Sequence, residues 1–171
     1  DDTYQTNYYA VKNAVKIANE LKIPILYIST AGIFNGQKSL YNEKDNPDPI
    51  CHYAKSKYKG EQYVQNNANS YLICRAGWMM GGGKRKDKKF INKIITQIRN
   101  GNKKLFIVND KLGTPTYTHD FANNVKLLVE KNVFGLFNMV CQGVTSRLEV
   151  SNEIVRLIGK KSETKSIISI D

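Results

Sequence analysis

The sequence is poor in the features that mark membrane, disulfide-rich and metal-binding proteins. No apolar run approaches the ~20 residues that a membrane-spanning helix needs, so we expect no membrane partner. The three cysteines, Cys51, Cys74 and Cys141, are widely spaced and form no CxxC pair, which indicates idle thiols in a reducing cytoplasm. Neither histidine has a cysteine, histidine or carboxylate at metal-ligand spacing, so we predict no metal site.

Acidic residues are outnumbered, yet the excess of positive charge does not indicate a nucleic-acid partner. The chain has 26 Lys and Arg against 15 Asp and Glu, a net charge of +11. The lysines are spread along every predicted helix, and we find neither a recognition helix nor aromatics interleaved with a basic strand. Nucleic-acid binding is therefore the least favoured class of function. The one dense basic run, 84–89, is either a solvated loop or an electrostatic funnel for an anionic substrate.

Helix-like and strand-like apolar spacing alternate along the 171 residues, which are enough for one compact domain. The predicted helices cover about 5–21, 51–67, 90–98, 118–131 and 146–158, the last with a capping box from Ser146 to Glu149. The predicted strands cover about 23–28, 71–75, 105–108, 135–140 and 167–170, and 34–49 and 77–86 are predicted loops. This order predicts an α/β fold with a parallel sheet covered on both faces.

Three segments that follow predicted strands are candidates for ligand binding. They are Ser29-Thr30, 75–78 and 113–116. Ligands of parallel α/β sheets bind at the carboxyl ends of the strands, so we expect these segments to line a site.

Tyr53 and Lys57 are the strongest candidates for chemistry. Four residues apart, they share one face of the predicted helix. A nearby ammonium favours the phenolate, so this spacing predicts a lowered pKa for Tyr53 and a proton donor or acceptor near neutral pH. With the hydroxyls of Ser29 or Thr30 from a neighbouring strand end, the set suits carbonyl and alcohol redox chemistry.

The same residues carry a family resemblance. Segments 27–36, 53–61, 75–78 and 113–118 resemble, in the same order, those of the extended short-chain dehydrogenase/reductases. Among these the chain is most similar to the dTDP-4-dehydrorhamnose reductases and their sugar-nucleotide-binding relatives. The resemblance implies a Rossmann-like, doubly wound parallel sheet with a small substrate-binding lobe. It also implies NADP(H) or NAD(H) as cofactor and a nucleotide-linked 4-keto-deoxysugar as substrate.

The resemblance also implies a role for each matching residue. Thr30 would hydrogen-bond the sugar carbonyl oxygen, Tyr53 would protonate that oxygen, and Lys57 would lower the pKa of Tyr53 and hold the nicotinamide ribose. These three form the expected catalytic set. The cofactor-binding residues would be Ser29, Tyr53, Lys57 and the backbone of Arg75, Ala76 and Gly77. The substrate-binding residues would be Thr30, Trp78 and Thr114.

Two departures from the family pattern qualify these expectations. Ala31 stands where many reductases of this branch carry an acidic residue, which leaves the identity of the sugar open. A glycine-rich strand–turn–helix motif for the pyrophosphate is not found in the sequence, and the chain opens directly before a helix. We therefore expect the C-terminal part of a longer enzyme that is inactive alone. Residues 1–76 would hold the second half of the Rossmann sheet, and 77–171 mainly the substrate lobe, with some segments returning to the sheet.

Two other functions stay open at this point. An NAD-dependent sugar-nucleotide epimerase or dehydratase uses the same three catalytic residues. A non-catalytic, reductase-like binding or regulatory subunit fits the missing acid at Ala31. A homodimer is an open alternative to a monomer, and the expected location is the cytoplasm.

Overall fold

The computed structural model describes residues 2–87, 89–158 and 166–170, without the side chains of residues 84, 85 and 166–170. The chain divides into two compact units. The first comprises Asp1–Gly77 and Phe121–Val140, and the second comprises Trp78–Asp120 and Cys141–Asp171. Within these described ranges no helix is long and apolar enough to cross a membrane.

Helices and strands alternate over most of the described chain. The α-helices are α1 (Asp2–Tyr4), α2 (Ala10–Glu20), α3 (His52–Asn67), α4 (Gly83–Lys86), α5 (Phe90–Arg99), α6 (Thr118–Glu130) and α7 (Arg147–Ile158), with a π-helix at Gln5–Tyr9 and a 3-10 turn at Ala31–Ile33. The strands are β1 (Ile25–Thr30), β2 (Tyr71–Ala76), β3 (Trp78–Met80), β4 (Lys104–Val108), β5 (Leu112–Gly113), β6 (Pro115–Tyr117), β7 (Gly135–Met139), β8 (Thr145–Ser146) and β9 (Ser166–Ile170).

The first unit is built on a three-stranded parallel sheet in the order β1-β2-β7. Its core joins side chains from α2, β1, α3 and β2, namely Val15, Tyr27, Val64 and Ile73. The parallel arrangement confirms the fold expected from the alternation of helices and strands. It also places the carboxyl ends of β1 and β2 side by side, with Thr30 paired in register with Ala76.

The two neighbouring strands of this sheet differ in burial. In the central strand β2, the residues from Leu72 to Ala76 are all buried. In β1, Tyr27 and Ser29 are buried, whereas Leu26 and Ile28 are 44% and 46% exposed. The sequence-based prediction of a strand buried on both faces was therefore wrong for β1. Because side chains alternate along a strand, only the face of β1 that carries Tyr27 and Ser29 is covered by the described residues.

The second unit consists of short strand pairs and two packed helices. β3 pairs with β6 and β4 with β9, both in parallel, while β5 and β8 are antiparallel. Its buried core comes from α5, β4 and α7: Ile94, Ile98, Leu105, Ile107 and Ile154. The predicted loop at 77–86 was wrong, because it contains β3 and α4. β4 pairs only with β9 among the described strands, whereas β7 joins the sheet of the first unit.

The predicted capping box at the start of α7 is confirmed. The backbone N–H of Glu149 donates to Ser146 Oγ at 3.0 Å, and the backbone N–H of Ser146 donates to Glu149 Oε2 at 2.7 Å. This reciprocal pair satisfies two amide donors that a helix start leaves open. The basic run at 84–89 was predicted to be a solvated loop or an electrostatic funnel. Residues 84–86 belong to α4, so this part of the run is not a loop. Residue 88 and the side chains of residues 84 and 85 lie outside the described residues, so the electrostatic funnel stays a prediction.

Gly60 allows α3 to lie directly against β1 and the π-helix. A methyl group at this position would overlap the Asn7 carbonyl oxygen and lie 2.5 Å from the Tyr27 hydroxyl. Gly60 is itself buried in the middle of α3. A glycine normally weakens a helix interior, so its presence here is explained by close packing.

We predict that Gly60→Ala destabilises the protein in spite of the better helix propensity of alanine. The added methyl group forces α3 away from Tyr27 and should cost about 1–3 kcal/mol in the free energy of unfolding. Urea denaturation followed by circular dichroism measures this loss. Lys59→Ala, an exposed neighbour in the same helix, is the matched control and should change stability by less than about 0.5 kcal/mol. Equal stability of the two variants would contradict the packing argument.

Candidate functional site

The carboxyl ends of β1 and β2 bring four of the predicted site residues together. Ser29 pairs in register with Arg75, and Thr30 pairs with Ala76. Hydrogen-bonded parallel strands lie about 4.8 Å apart, so these residues form one continuous edge. The helix that carries Tyr53 and Lys57 packs on the same strand, because the Tyr27 hydroxyl of β1 donates to the Lys57 carbonyl oxygen at 2.9 Å.

Thr30 ends β1 with its hydroxyl already oriented. Its Oγ1 accepts a hydrogen bond of 3.1 Å from the backbone N–H of Gly32, and this bond caps the 3-10 turn Ala31–Ile33. A hydroxyl has one proton and two lone pairs. The capping bond uses a lone pair, so the Thr30 proton is available for a carbonyl oxygen.

Ser29 has a different environment. It is 3% exposed, and its Oγ is the one buried side-chain oxygen or nitrogen of the described residues with no hydrogen-bond partner. An unpartnered buried hydroxyl is costly. Such an atom fits a site at which a ligand supplies the missing polar contact.

Tyr53 lies in the first turn of α3 and is half exposed. Burial raises the pKa of its phenol above the ordinary value, and the neighbouring Cys51 thiol adds to this rise. The sequence-based expectation that Lys57 lowers the pKa of Tyr53 is therefore wrong for this structure. The reason is where the Lys57 ammonium lies.

Lys57 directs its ammonium to the aromatic ring of Tyr27. The Nζ atom is 4.2 Å from the centre of that ring, a cation–π contact. Burial lowers the pKa of the Lys57 ammonium to about 8, and the negative charge of Glu61 opposes that fall. Lys57 and Tyr53 are one helical turn apart in the sequence of α3, but the Lys57 amine lies over the Tyr27 ring.

The Arg75 side chain is held by an internal ion pair. Arg75 and Glu61 are 2% and 0% exposed, and their Nη2 and Oε1 atoms are 2.6 Å apart. Arg75 Nε also donates to both oxygens of Glu61, at 3.1 and 3.2 Å. The Arg75 side chain is thus engaged with Glu61, and the cofactor contact expected at the backbone of Arg75, Ala76 and Gly77 stays a prediction.

Trp78 and Thr114, the predicted substrate-binding residues, meet in the second unit. The Trp78 backbone N–H donates to the Thr114 carbonyl oxygen at 2.9 Å. A methyl group at Gly113 would overlap the Trp78 indole ring, so that ring lies directly against the backbone of β5. The Arg147 guanidinium carbon is 5.8 Å from the centre of the same ring.

Sequence reasoning missed Tyr27 and Glu61, which both act on Lys57. Glu61 could have been found, because Tyr53, Lys57 and Glu61 follow one another every four residues along one helix face. Tyr27 gave no such signal, since an aromatic residue in an apolar strand is typical of any core.

Comparison with known proteins places these observations in one family. Residues 1–170 match the RmlD substrate binding domain. A dTDP-4-dehydrorhamnose reductase of Aggregatibacter actinomycetemcomitans is 31% identical over 133 residues, covering 77% of this chain and 44% of that protein.

Two solved structures share the fold. The dTDP-4-dehydrorhamnose reductase of Yersinia enterocolitica has a TM-score of 0.88 at 35% identity and covers 96% of this chain and 57% of its own. That of Bacillus anthracis, in complex with NADP, has a TM-score of 0.88 at 26% identity, with the same two coverages. The expectation of a Rossmann-like α/β fold is confirmed by these matches.

The chain spans about half the length of the relatives that it matches. The match nevertheless runs through almost all of its own residues, including both units. The chain therefore belongs to the family of the RmlD substrate binding domain, as the resemblance of its motifs to the dTDP-4-dehydrorhamnose reductases implied.

Proposed function

We propose that this chain is part of an NADPH- or NADH-dependent reductase of a nucleotide-linked 4-keto-deoxysugar. The observation that carries the proposal is the placement of Tyr53 and Lys57 one turn apart on a helix packed against β1. That strand ends in two hydroxyl residues, one buried and unpartnered and the other with its proton available. The reductases of the same family, one of them solved with NADP, support the choice of reaction and cofactor.

Different residues of the chain have different roles in carbonyl reduction. The reduced nicotinamide supplies a hydride to the carbonyl carbon. As the carbon–oxygen π electrons move to oxygen, Tyr53 donates its phenolic proton to that oxygen and becomes a phenolate. The Thr30 hydroxyl donates a hydrogen bond to the same oxygen, and the positive charge of Lys57 stabilises the phenolate once the amine binds the nicotinamide ribose.

The raised pKa of Tyr53 is consistent with a role as acid. A phenol with a raised pKa is fully protonated at neutral pH. Tyr53 therefore carries the proton it donates before the hydride is transferred. Release of its proton then requires a nearby positive charge, which Lys57 supplies on binding the nicotinamide ribose. We infer that Ser29 Oγ and the backbone of Ala76 and Gly77 complete the cofactor site, and that Trp78 and Thr114 contact the sugar nucleotide.

Activity is proposed for a protein longer than these 171 residues. The matched reductases have nearly twice the length covered here, and the sequence holds no glycine-rich turn for a pyrophosphate. The 171-residue chain alone should bind NADPH weakly and oxidise none of it in the presence of a dTDP-4-keto-deoxysugar. The cytoplasmic location and the homodimer stay predictions from sequence.

We predict that Tyr53→Phe in the complete protein lowers kcat by two orders of magnitude or more, the range of general acid catalysis. The change removes only the phenolic oxygen. The measurement is NADPH oxidation with the keto-sugar, with Tyr58→Phe on the same helix as control. Stoichiometric release of oxidised cofactor separates reduction from epimerisation or dehydration, which return the hydride. An unchanged rate in Tyr53→Phe would leave a binding subunit as the better description.

A second prediction concerns Trp78, the single tryptophan of the sequence. In the 171-residue chain, dTDP should change the fluorescence of Trp78. Gly113→Ala should shift that emission and weaken the apparent affinity for dTDP by about tenfold, because its methyl group displaces the indole ring.

Leu112→Ala is the matched control for Gly113→Ala, since Leu112 is 67% exposed and precedes Gly113 in β5. Emission and dTDP affinity of the control should equal those of the unaltered chain. If Gly113→Ala and Leu112→Ala had the same emission and the same dTDP affinity, Trp78 would not be part of the substrate site. The proposed role of Tyr53 would be unaffected by that result.

A further inference from the structure

One face of α3 carries Tyr53, Lys57 and Glu61 at intervals of four residues. Tyr27 on β1 faces the middle of this row. Of the three, only Lys57 has contacts with Tyr27 at both its backbone and its side chain. The position of this amine is thus defined by a residue outside its own helix.

Tyr27 holds Lys57 in two ways. Its hydroxyl donates to the Lys57 carbonyl oxygen at 2.9 Å, which fixes the backbone of α3 at this turn. Its ring then receives the Lys57 ammonium at 4.2 Å. Tyr27 is 6% exposed and packs in the core with Val15, Val64 and Ile73, so the ring has little freedom to move.

Glu61 supplies a fixed negative charge one turn beyond Lys57. Its carboxylate is fully buried, and Arg75 binds both of its oxygens. This double hydrogen bond fixes the orientation of the carboxylate. Among the described residues Glu61 forms its ion pair with Arg75, and its negative charge acts on Lys57 through space.

We propose that Tyr27 and Glu61 are positioning residues for Lys57, the first fixing where its ammonium lies and the second keeping it charged. The catalytic meaning of this arrangement rests on the proposed reductase function. The arrangement itself is a property of the first unit and is tested without cofactor or substrate.

The electrostatics agree with this assignment. Burial lowers the pKa of Lys57 to about 8, and Glu61 opposes the fall. The amine is thus charged below about pH 8 and becomes neutral above it. The titratable groups that face it are Tyr53 and Glu61 on α3 and Tyr27 on β1, while β2 contributes Arg75, which binds Glu61.

The test is the titration of Lys57 in the 171-residue chain. Competitive acetylation across a range of pH, with each lysine read by peptide mass spectrometry, gives a midpoint for every amine. In the unaltered chain Lys57 should titrate near pH 8. Lys55 and Lys59 are exposed on the same helix. These two lysines serve as internal controls.

Substitutions of the two positioning residues should shift the Lys57 midpoint in opposite directions. Glu61→Gln should lower it by about half a pH unit or more, because the favourable negative charge is lost. Tyr27→Leu should raise it toward the ordinary lysine value of about 10.4, because an ammonium without the ring moves into water. Tyr27→Phe keeps the ring and should leave the midpoint where it is.

A folding control completes the experiment. Glu61→Gln leaves the buried Arg75 without its partner, so Glu61→Gln/Arg75→Met, which removes both charges, is measured beside it. In the double variant the Lys57 midpoint should still lie below that of the unaltered chain. An unchanged Lys57 midpoint in folded Glu61→Gln or Tyr27→Leu overturns the proposal, as does an equal shift of Lys55 and Lys59. Failure of the reductase function would appear as absent turnover in the complete protein and would leave these midpoints unaffected.

Discussion

The first unit depends on one buried ion pair, Glu61 with Arg75. Removing two charges from water is costly, and the cost is met only where geometry and hydrogen bonding are good. Here the guanidinium satisfies both carboxylate oxygens, and its carbon lies 5.2 Å from the centre of the Phe34 ring. The pair joins α3 to the central strand β2. Since loss of either partner would leave an isolated buried charge, the rotation of α3, and with it the direction of Tyr53 and Lys57, is tied to the sheet.

The same arginine connects the long loop before α3 to the sheet. Arg75 Nη1 donates weakly to Asn138 Oδ1 of β7 at 3.5 Å, and the Asn138 backbone N–H donates to Glu43 Oε1 at 2.7 Å. Phe34 and Tyr41 stack with their ring centres 4.3 Å apart. A segment that the sequence predicts as a plain loop is thus bound at its start and in its middle. This matters because the loop leads into the turn of α3 that carries Tyr53.

Local patterns predicted the fold and the candidate residues, whereas long-range pairing decided their electrostatics. The sequence predicted the spacing of Tyr53 and Lys57 and the capping box of α7, because each of these features lies within a turn or two of one helix. The sequence did not predict the partner of Lys57, since the contact with Tyr27 joins a helix to a strand 30 residues away. The three-residue strand β3 was missed for the same reason: its hydrogen bonds are made with β6, far along the chain. The lowered pKa expected for Tyr53 followed from spacing alone and failed because a competing aromatic ring receives the amine.

The segment from Arg75 to Trp78 shows how one sequence motif divides into different physical roles. Its first side chain neutralises a buried carboxylate, and its middle residues present backbone at the end of β2. Its last residue opens β3 in the second unit, where its ring lies against Gly113. A motif that resembles a single ligand-binding block therefore combines a structural charge, a backbone edge and an aromatic surface. Replacing Arg75 should consequently act on the position of α3 and on Lys57, whereas replacing Trp78 should act on the second unit, where its ring contacts Gly113 and Arg147. The two effects are separable even though only two residues lie between Arg75 and Trp78.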